Sequence, residues 1–299
     1  MAVATGARQL SGSGLQGHRG SASVDLRAVG RTDVQSKVLV GVVLGGIALA
    51  CLFYSRLTLL ILLLVLALVA GGELFRLARA RGARPVPLVG LAGVAAAYIV
   101  AYQQGPAAPE DLPLVVAAAF VLTAAAVLMR RDREGAIRSI ASTVFVVIYV
   151  GLMGSYMMAM RSSPDGFRIV LTFGLLVVLN DVGSWAVGRT IGKRPLAPQI
   201  SPSKTWEGAL GGALVTLIVA LLAGIGFDPP ITVGRGLVLA ALVVLVAPLG
   251  DLFESMLKRD LGVKDTGGVI PQHGGALDRL DSLLFTAPLF FYAYRAVAA

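Results

Sequence analysis

Charged residues are scarce in this sequence. They make up 14% of its 299 residues, while hydrophobic residues make up 56%, and soluble domains carry about 25% charged residues. The charges are gathered between long apolar runs, which is typical of a polytopic membrane protein and excludes an ordinary soluble domain. Cysteine is nearly absent too. Because Cys51 is alone, it cannot form an intrachain disulfide, and we expect it to act as a small hydrophobic residue.

The first 36 residues lack apolar periodicity, and they lack the apolar core of a signal peptide. They are rich in Gly, Ser, Ala and Arg, which predicts a disordered cytoplasmic tail; the alternative is a regulatory or lipid-surface arm. The net charge of the chain is +9. Most basic residues sit in short loops, where they set membrane topology, so we expect no nucleic-acid partner.

Apolar segments recur along the rest of the chain, and each is close to the roughly 20 residues that a helix needs to cross the hydrocarbon core. The predicted fold class is therefore all-α, a polytopic integral membrane protein with about nine transmembrane helices. The predicted spans are 38–55, 57–75, 86–104, 112–129, 139–160, 167–188, 207–227, 236–257 and 280–298. All but five of the 26 Lys and Arg residues fall on the side of the tail, which predicts a cytoplasmic N-terminus. The five on the other side are Arg56, Arg161, Arg168, Arg235 and Arg295.

Polar residues divide the spans into two groups. Residues 37–165 hold few polar residues within their spans and are predicted to be a transmembrane scaffold. Glycine runs that would allow close helix packing there cover 41–46 and 90–93. Glu73 is an exception, which we expect to be an interfacial acid paired with Arg76 or Arg79. Residues 166–299 carry the polar motifs and are predicted to be a catalytic transmembrane region with cytoplasmic loops.

Acids and bases are mixed densely in the segment 251–281, between two apolar spans. Pro248 precedes it, and its missing N–H and bulky ring predict a kink or a break in the helix. Broken helices at membrane depth often expose backbone groups to an ion or substrate, so Asp251 is expected to face a polar cavity. Asp278 and Asp281 lie three residues apart on one helix face. With Asp251 they are the predicted ligands of one Mg²⁺ or of a pair of cations.

The loop before Asp278 is rich in glycine. Glycines are expected to let its backbone approach a ligand, at Gly267, Gly268, Gly274 and Gly275. His273 is expected to contact a phosphate or to order the loop. A general-base role would be less suited to it if the nucleophile were a phosphate, because a phosphate is already ionised near pH 7, its second pKa being about 6.

A second polar region lies between residues 180 and 208. Asp181 precedes Arg189 by eight residues, about 12 Å of helix, and an acid at that depth is functional by default; the alternative is a structural acid paired with a base on another helix. Ser203, Lys204 and Thr205 are expected at the start of the next helix, where free N–H groups and the positive dipole end favour phosphate. A Walker A loop is excluded, because its glycine lead-in is missing.

These motifs resemble those of the phosphatidate cytidylyltransferases, also called CDP-diacylglycerol synthases. The resemblance is strongest over about residues 170 to 285. It rests on the Ser-Pro-x-Lys-Thr-x-Glu-Gly element at 201–208 and on the gapped run Ser255-Met-Leu-Lys258-Arg259, Lys264-Asp265, Pro271-Gln-His273-Gly274-Gly275 and Asp278-Arg279-Leu-Asp281. Three residues depart from the family pattern: Val182, Ser184 and Ala276.

The resemblance implies the reaction of CTP with phosphatidate to CDP-diacylglycerol and pyrophosphate. It implies a homodimer in the cell membrane, with Mg²⁺ and with the active site facing the cytoplasm. The predicted catalytic residues are Asp251, Asp278, Asp281, Lys258 and Arg279. The predicted substrate-binding residues are Asp181, Arg189, Lys193, Ser201, Ser203, Lys204, Thr205, Glu207, Arg259, Lys264, Asp265, His273, Gly274 and Gly275; the bases among them would hold phosphates.

Two alternatives remain at this stage. A CTP-dependent transferase acting on another lipid phosphate would show the same motifs, since the sequence does not reveal the acyl-chain pocket. An ion or metal transporter, with Asp181 and Asp251 along the ion path, would explain the buried acids. It would not explain the Ser-Pro-Ser-Lys-Thr loop, and the first half holds no counterpart to the Pro248 helix, as repeated transporter halves would.

Overall fold

A computed structural model of the protein describes residues 41–226, 230–263, 266–267 and 274–298. The predicted tail, residues 1–36, lies outside these ranges. The described chain is almost entirely helical, which confirms the all-α class. Its helices are α1 (Gly41–Tyr54), α2 (Arg56–Ala80), α3 (Pro87–Gln104), α4 (Leu112–Leu128), α5 (Ala136–Val146), α6 (Met153–Arg161), α7 (Gly166–Ile191), α8 (Trp206–Gly226), α9 (Val233–Asp260) and α10 (Leu277–Ala298).

Six helical stretches of the described chain are long and apolar enough to cross a membrane. They are Arg56–Ala80, Pro87–Glu110, Ala136–Arg161, Gly166–Ile191, Trp206–Gly226 and Val233–Asp260. Two further apolar helices, α1 and α4, are shorter. Each of the nine predicted spans overlaps a described helix or helix pair. Length and composition support membrane crossing for six of these stretches. The chain is thus a multi-pass membrane protein, and the number nine and the cytoplasmic N-terminus stay predictions.

The boundary between the first two predicted spans is a capping box. Ser55 Oγ accepts a hydrogen bond from the Thr58 N–H at 3.0 Å, and Thr58 Oγ1 accepts one from the Ser55 N–H at 3.2 Å. These bonds satisfy groups that the start of α2 would otherwise leave free. Helices α5 and α6, by contrast, are joined by a π-helical segment, Val147–Leu152.

Helix α9 runs without interruption through Pro248. Of the predicted kink or break at this residue, the break is therefore wrong, and the kink stays a prediction. Proline removes one backbone hydrogen bond, and in a membrane helix packing against neighbouring helices can compensate for that loss. Helices α8 and α10 both pack against α9.

The polar loop after α7 folds into a β-hairpin. Strand β1 (Pro195–Ala197) pairs with β2 (Ser201–Thr205) in antiparallel fashion. Ser203, Lys204 and Thr205 directly precede the helix predicted over 207–227, but they lie in strand β2, and α8 begins at Trp206. Thr205 Oγ1 instead caps α8, accepting a hydrogen bond from the Gly208 N–H at 3.1 Å.

Glycine governs how closely several helices approach. A Cβ added to Gly93 would meet Val147 at 3.0 Å, and one added to Gly90 would meet Phe75 at 3.0 Å or closer, which confirms close packing at this predicted run. The run at 41–46 behaves differently: a Cβ added to its glycines would meet nothing within 4 Å in the described chain. At the α7–α8 crossing, a Cβ on Gly212 would lie 2.6 Å from the Asn180 carbonyl oxygen. These two helices therefore pack backbone to backbone.

Candidate active site

A cavity of about 480 Å³ lies between α7, the hairpin, α8 and α9. Its volume falls within the range of about 300 to 1,000 Å³ that is typical of small-molecule sites. Seven predicted site residues line it: Asp181, Arg189, Ser201, Ser203, Lys204, Thr205 and Asp251. Asn180, Ser184, Trp185 and Pro248 line it as well. The structure thus brings the two polar regions of the sequence together around one space.

Three carboxylates meet at the edge of this cavity. Asp251, Glu254 and Asp281 each offer one oxygen atom, and these atoms lie within 4.8 Å of one another. Asp251 and Glu254 are three residues apart on α9, and Asp281 is on α10. Glu254 is only 1% exposed, and its Oε1 has no hydrogen-bond partner among the described residues.

Two lysines partly neutralise these acids. Lys204 Nζ lies 2.5 Å from Asp251 Oδ2, which ties the hairpin to α9. Lys258 Nζ lies 2.6 Å from Glu254 Oε2 and 2.9 Å from Asp278 Oδ1. Buried charges need such partners, because their desolvation is otherwise too costly. Lys204 also lines the cavity, so its ammonium group borders both the carboxylates and the space where a ligand would lie.

Asp278 is not part of the group of three carboxylates. Its Oδ1 accepts the hydrogen bond from Lys258, and its Oδ2 accepts hydrogen bonds from the N–H of Gly275 at 2.6 Å and of Thr266 at 3.3 Å. One oxygen is therefore engaged by Lys258 of α9, and the other holds the loop at the start of α10. The structure gives Glu254 the place that the sequence analysis assigned to Asp278, and a ligand role of Asp278 stays an untested prediction.

Glu73 of α2 reaches the same loop. It is fully buried, and its two oxygens accept hydrogen bonds from the N–H groups of Ala276 and Leu277, each at 3.1 Å. The expected pairing of Glu73 with Arg76 or Arg79 is wrong. The free N–H groups and positive dipole end of α10 attract the carboxylate instead.

The glycines of this loop make room for protein groups. A Cβ on Gly274 would collide with the Asp278 carboxylate, and one on Gly275 would collide with Glu73 and Thr266. Gly274 also has a φ of 79°, which favours glycine. We expected the loop backbone to approach a ligand closely at its glycines. At Gly274 and Gly275 the backbone instead approaches carboxylates of the chain itself.

The other predicted site residues lie around this centre. Arg189 stacks on the Trp185 ring, 5.6 Å from its centroid, and Arg259 Nε donates to the Ile200 carbonyl oxygen at 3.3 Å. The Glu207 carboxylate accepts hydrogen bonds from the backbone N–H groups of Lys193 and Arg194, so it shapes the hairpin. Lys193 and Arg279 are exposed. Three predicted residues lie outside the described ranges: Lys264, Asp265 and His273.

The donor set fits a divalent cation. Carboxylate oxygens are the hard ligands that Mg²⁺ prefers, and proteins often hold Mg²⁺ through one or two carboxylates together with substrate phosphates. The unpartnered Oε1 of Glu254 is an independent sign, because a buried polar atom without a hydrogen bond is rare unless something binds it. Sequence reasoning missed Glu254 and the capping role of Glu73. Glu254 could have been found, since it lies three residues after Asp251 on the same face of α9.

Fold and site together define a multi-pass helical membrane protein. It has a polar cavity, and the carboxylate group at the edge of that cavity fits a divalent cation. Residues 35–297 match the profile of the cytidylyltransferase family, and the chain belongs to that family. It is 34% identical over 249 residues to a phosphatidate cytidylyltransferase of Staphylococcus haemolyticus, covering 81% of this chain and 92% of the relative. It is 34% identical over 265 residues to one of Mycobacterium tuberculosis (85% and 80%) and 31% identical over 271 residues to one of Bacillus subtilis (87% and 97%).

These comparisons confirm the resemblance that the sequence motifs indicated. They also confirm the interpretation as a nucleotidyltransferase enzyme. The buried acids no longer favour an ion or metal transporter, because the chain belongs to a family of transferases. The roles of individual residues are not decided by these comparisons and rest on the geometry above.

Proposed function

We propose that this chain transfers the cytidylyl group of CTP to phosphatidate, giving CDP-diacylglycerol and pyrophosphate. The observation that supports it most is the group of three carboxylates, Asp251, Glu254 and Asp281, at the edge of a cavity that Lys204 and Arg189 line. The relatives of the chain are phosphatidate cytidylyltransferases. A phosphate oxygen of the lipid attacks the α-phosphorus of CTP. The bond from that phosphorus to the oxygen bridging to the β-phosphate breaks, and pyrophosphate leaves.

The main obstacle to this reaction is the repulsion between two polyanions. Lys204 borders the cavity while pairing with Asp251, so it can exchange a carboxylate for a phosphate oxygen. Arg189 of α7 lines the same cavity and offers a second cation. Preorganised cations that face the charge developing in the transition state are a large source of rate enhancement.

We propose Asp251, Glu254 and Asp281 as the residues that hold Mg²⁺, in place of the set Asp251, Asp278 and Asp281 expected from sequence. Bound there, Mg²⁺ would neutralise charge on the triphosphate and on the leaving pyrophosphate. Lys258, held between Glu254 and Asp278, fixes the relative position of α9 and α10. A second cation would use the same excess of carboxylates.

The membrane arrangement belongs to the proposal. CTP enters from the cytoplasm, and the side rich in Lys and Arg is expected to face it. The acyl chains of the lipid stay in the bilayer while its phosphate reaches the cavity, and the resemblance implies a homodimer. Residues 166–299 form the proposed catalytic region, and residues 37–165 the scaffold from which Glu73 contributes its cap.

The test is turnover by the purified protein in mixed micelles of detergent and phosphatidate, with CTP, with and without Mg²⁺. We expect CDP-diacylglycerol only with Mg²⁺, and none from Asp281→Asn. Glu134→Gln, a change of an exposed acid between α4 and α5, is the control and should retain activity. If CTP binds but phosphatidate gives no product, the substrate is another lipid phosphate. If CTP does not bind, the nucleotide assignment is wrong.

A further inference from the structure

Tyr149 lies at the centre of the π-helical segment that joins α5 to α6. Its side chain is 2% exposed. The ring stacks on Phe145 with centroids 5.4 Å apart and meets Phe253 of α9 edge-on at 5.3 Å. Single π-turns inside α-helices are rare and are frequent at functional sites. This one directs a residue of the proposed scaffold against the helix that carries Asp251 and Glu254.

The Tyr149 hydroxyl is buried, and it has no hydrogen-bond partner in the part of the chain that the structure describes. A buried tyrosine hydroxyl usually finds a partner, because burying an unpaired polar group is unfavourable. The hydroxyl is therefore either an unrelieved defect or a donor whose acceptor is not a residue of the described chain.

The surroundings of Tyr149 favour the second explanation. Its hydroxyl lies within electrostatic reach of all three clustered carboxylates, Asp281, Glu254 and Asp251. Phe253, which contacts the Tyr149 ring, sits between two of these acids in the sequence of α9. Glu254 Oε1 also lacks a partner. The Tyr149 hydroxyl and Glu254 Oε1 are thus an unpaired donor and an unpaired acceptor that do not bond to each other, as expected if a third group lies between them.

We propose that the Tyr149 hydroxyl donates a hydrogen bond to an oxygen atom of the group held by Asp251, Glu254 and Asp281. That oxygen belongs to a water bound to the cation or to a phosphate of the substrate. Tyr149 is then a residue of the active site supplied by the first half of the chain. The inference rests on the proposed function, since it takes the carboxylate group to be the ligand-binding centre.

Tyr98 on α3 is a matched control. It is fully buried, and its hydroxyl also lacks a partner among the described residues. A Cβ on Gly154 would meet the Tyr98 hydroxyl and the Leu284 side chain, so the hydroxyl lies beside a glycine and a leucine. Changing either tyrosine to phenylalanine removes one oxygen atom and keeps the ring, so the two variants differ in what the lost hydroxyl faced.

The first measurement is the Mg²⁺ dependence of the melting temperature of the full chain in detergent, without substrates. Wild type, Tyr149→Phe and Tyr98→Phe are compared. If the acceptor is a cation-bound water, Tyr149→Phe needs about tenfold more Mg²⁺ for the half-maximal shift, as is usual when a group around a metal's ligands is lost. Tyr98→Phe should follow the wild type.

The second measurement is turnover of CTP and phosphatidate by the same three proteins. If the acceptor is a phosphate oxygen, Tyr149→Phe keeps the Mg²⁺ midpoint but loses turnover or raises the KM for CTP or lipid at least about tenfold, and Tyr98→Phe does not. The proposal is overturned if Tyr149→Phe matches the wild type in both measurements, or if Tyr98→Phe changes equally. If Mg²⁺ shifts the melting temperature of the wild type but the wild type shows no turnover, the proposed reaction is wrong. The comparison of melting temperatures then still tests Tyr149. A wild type with neither contradicts both.

Discussion

The carboxylate of Glu73 accepts a hydrogen bond from the backbone N–H of Leu277, 204 residues further along the chain, at 3.1 Å. A second bond, from the N–H of Ala276, joins the same carboxylate to the start of α10. The first N–H groups of a helix have no partner within the helix, and here an acid from α2 supplies one. A residue of the first half therefore holds the helix that carries Asp278 and Asp281.

Glu73→Gln should destabilise the protein and reduce its activity. The amide has one oxygen where the carboxylate has two, so a buried N–H at 276 or 277 loses its acceptor, at a cost of about 1–3 kcal/mol. Thermal unfolding in detergent should show a lower melting temperature. Glu134→Gln, which removes a charge from an exposed position, should leave the melting temperature unchanged. Equal stability of the two variants would show that the cap at Glu73 has no energetic role.

Lys204→Ala should lower turnover far more than Lys193→Ala. Lys204 faces the cavity and Asp251, whereas Lys193 is exposed and contacts Glu207 through its backbone N–H alone among the described contacts. Loss of one preorganised electrostatic contact typically costs about 10²–10³-fold in kcat, and we expect this range for Lys204→Ala at saturating CTP. Comparable kcat values for the two alanine variants would remove Lys204 from the mechanism.

Glu254→Gln and Asp278→Asn separate the two candidate metal sets. If Glu254 is a ligand, Glu254→Gln raises the Mg²⁺ concentration for half-maximal activity by at least about tenfold, as loss of metal-site groups does. Asp278→Asn instead weakens the contact with Lys258 and the loop, so it should lower the melting temperature with a smaller change in Mg²⁺ dependence. The measurement is an Mg²⁺ titration of turnover beside thermal unfolding. If Asp278→Asn instead raised the Mg²⁺ requirement and Glu254→Gln did not, the Mg²⁺ ligands would be Asp251, Asp278 and Asp281.

Gly212→Ala should destabilise the α7–α8 contact. Its Cβ would lie 2.6 Å from the Asn180 carbonyl oxygen, and overpacking of this kind costs about 1–3 kcal/mol. Gly174→Ala on α7 is the matched control, because its Cβ would meet nothing within 4 Å among the described residues. Alanine is a better helix former than glycine by about 1 kcal/mol, so this control should be neutral or more stable. Melting temperatures that move in the same direction would contradict the close packing.

Sequence alone determined the helical membrane class, the approximate position of the described helices and the family. These features are local. A span is recognised because its length and apolarity must match the bilayer, and the polar motifs are readable because charges are rare elsewhere in the chain. The clustering of Asp251 and Asp281 also followed from sequence, as did the lining of one site by Asp181, Lys204 and Asp251.

Tertiary structure decided which side chains face one another. Asp278 and Asp281 share a helix face in sequence terms, yet Asp278 turns to the loop N–H groups and Lys258, and Glu254 completes the carboxylate group. Glu73 could not be assigned from sequence, because its partners lie more than 200 residues away. Helix α9 stays continuous at Pro248, and 201–205 pairs as a strand before α8 begins. In each case contacts with other elements outweigh the local preference, and periodicity and spacing carry no information on such contacts.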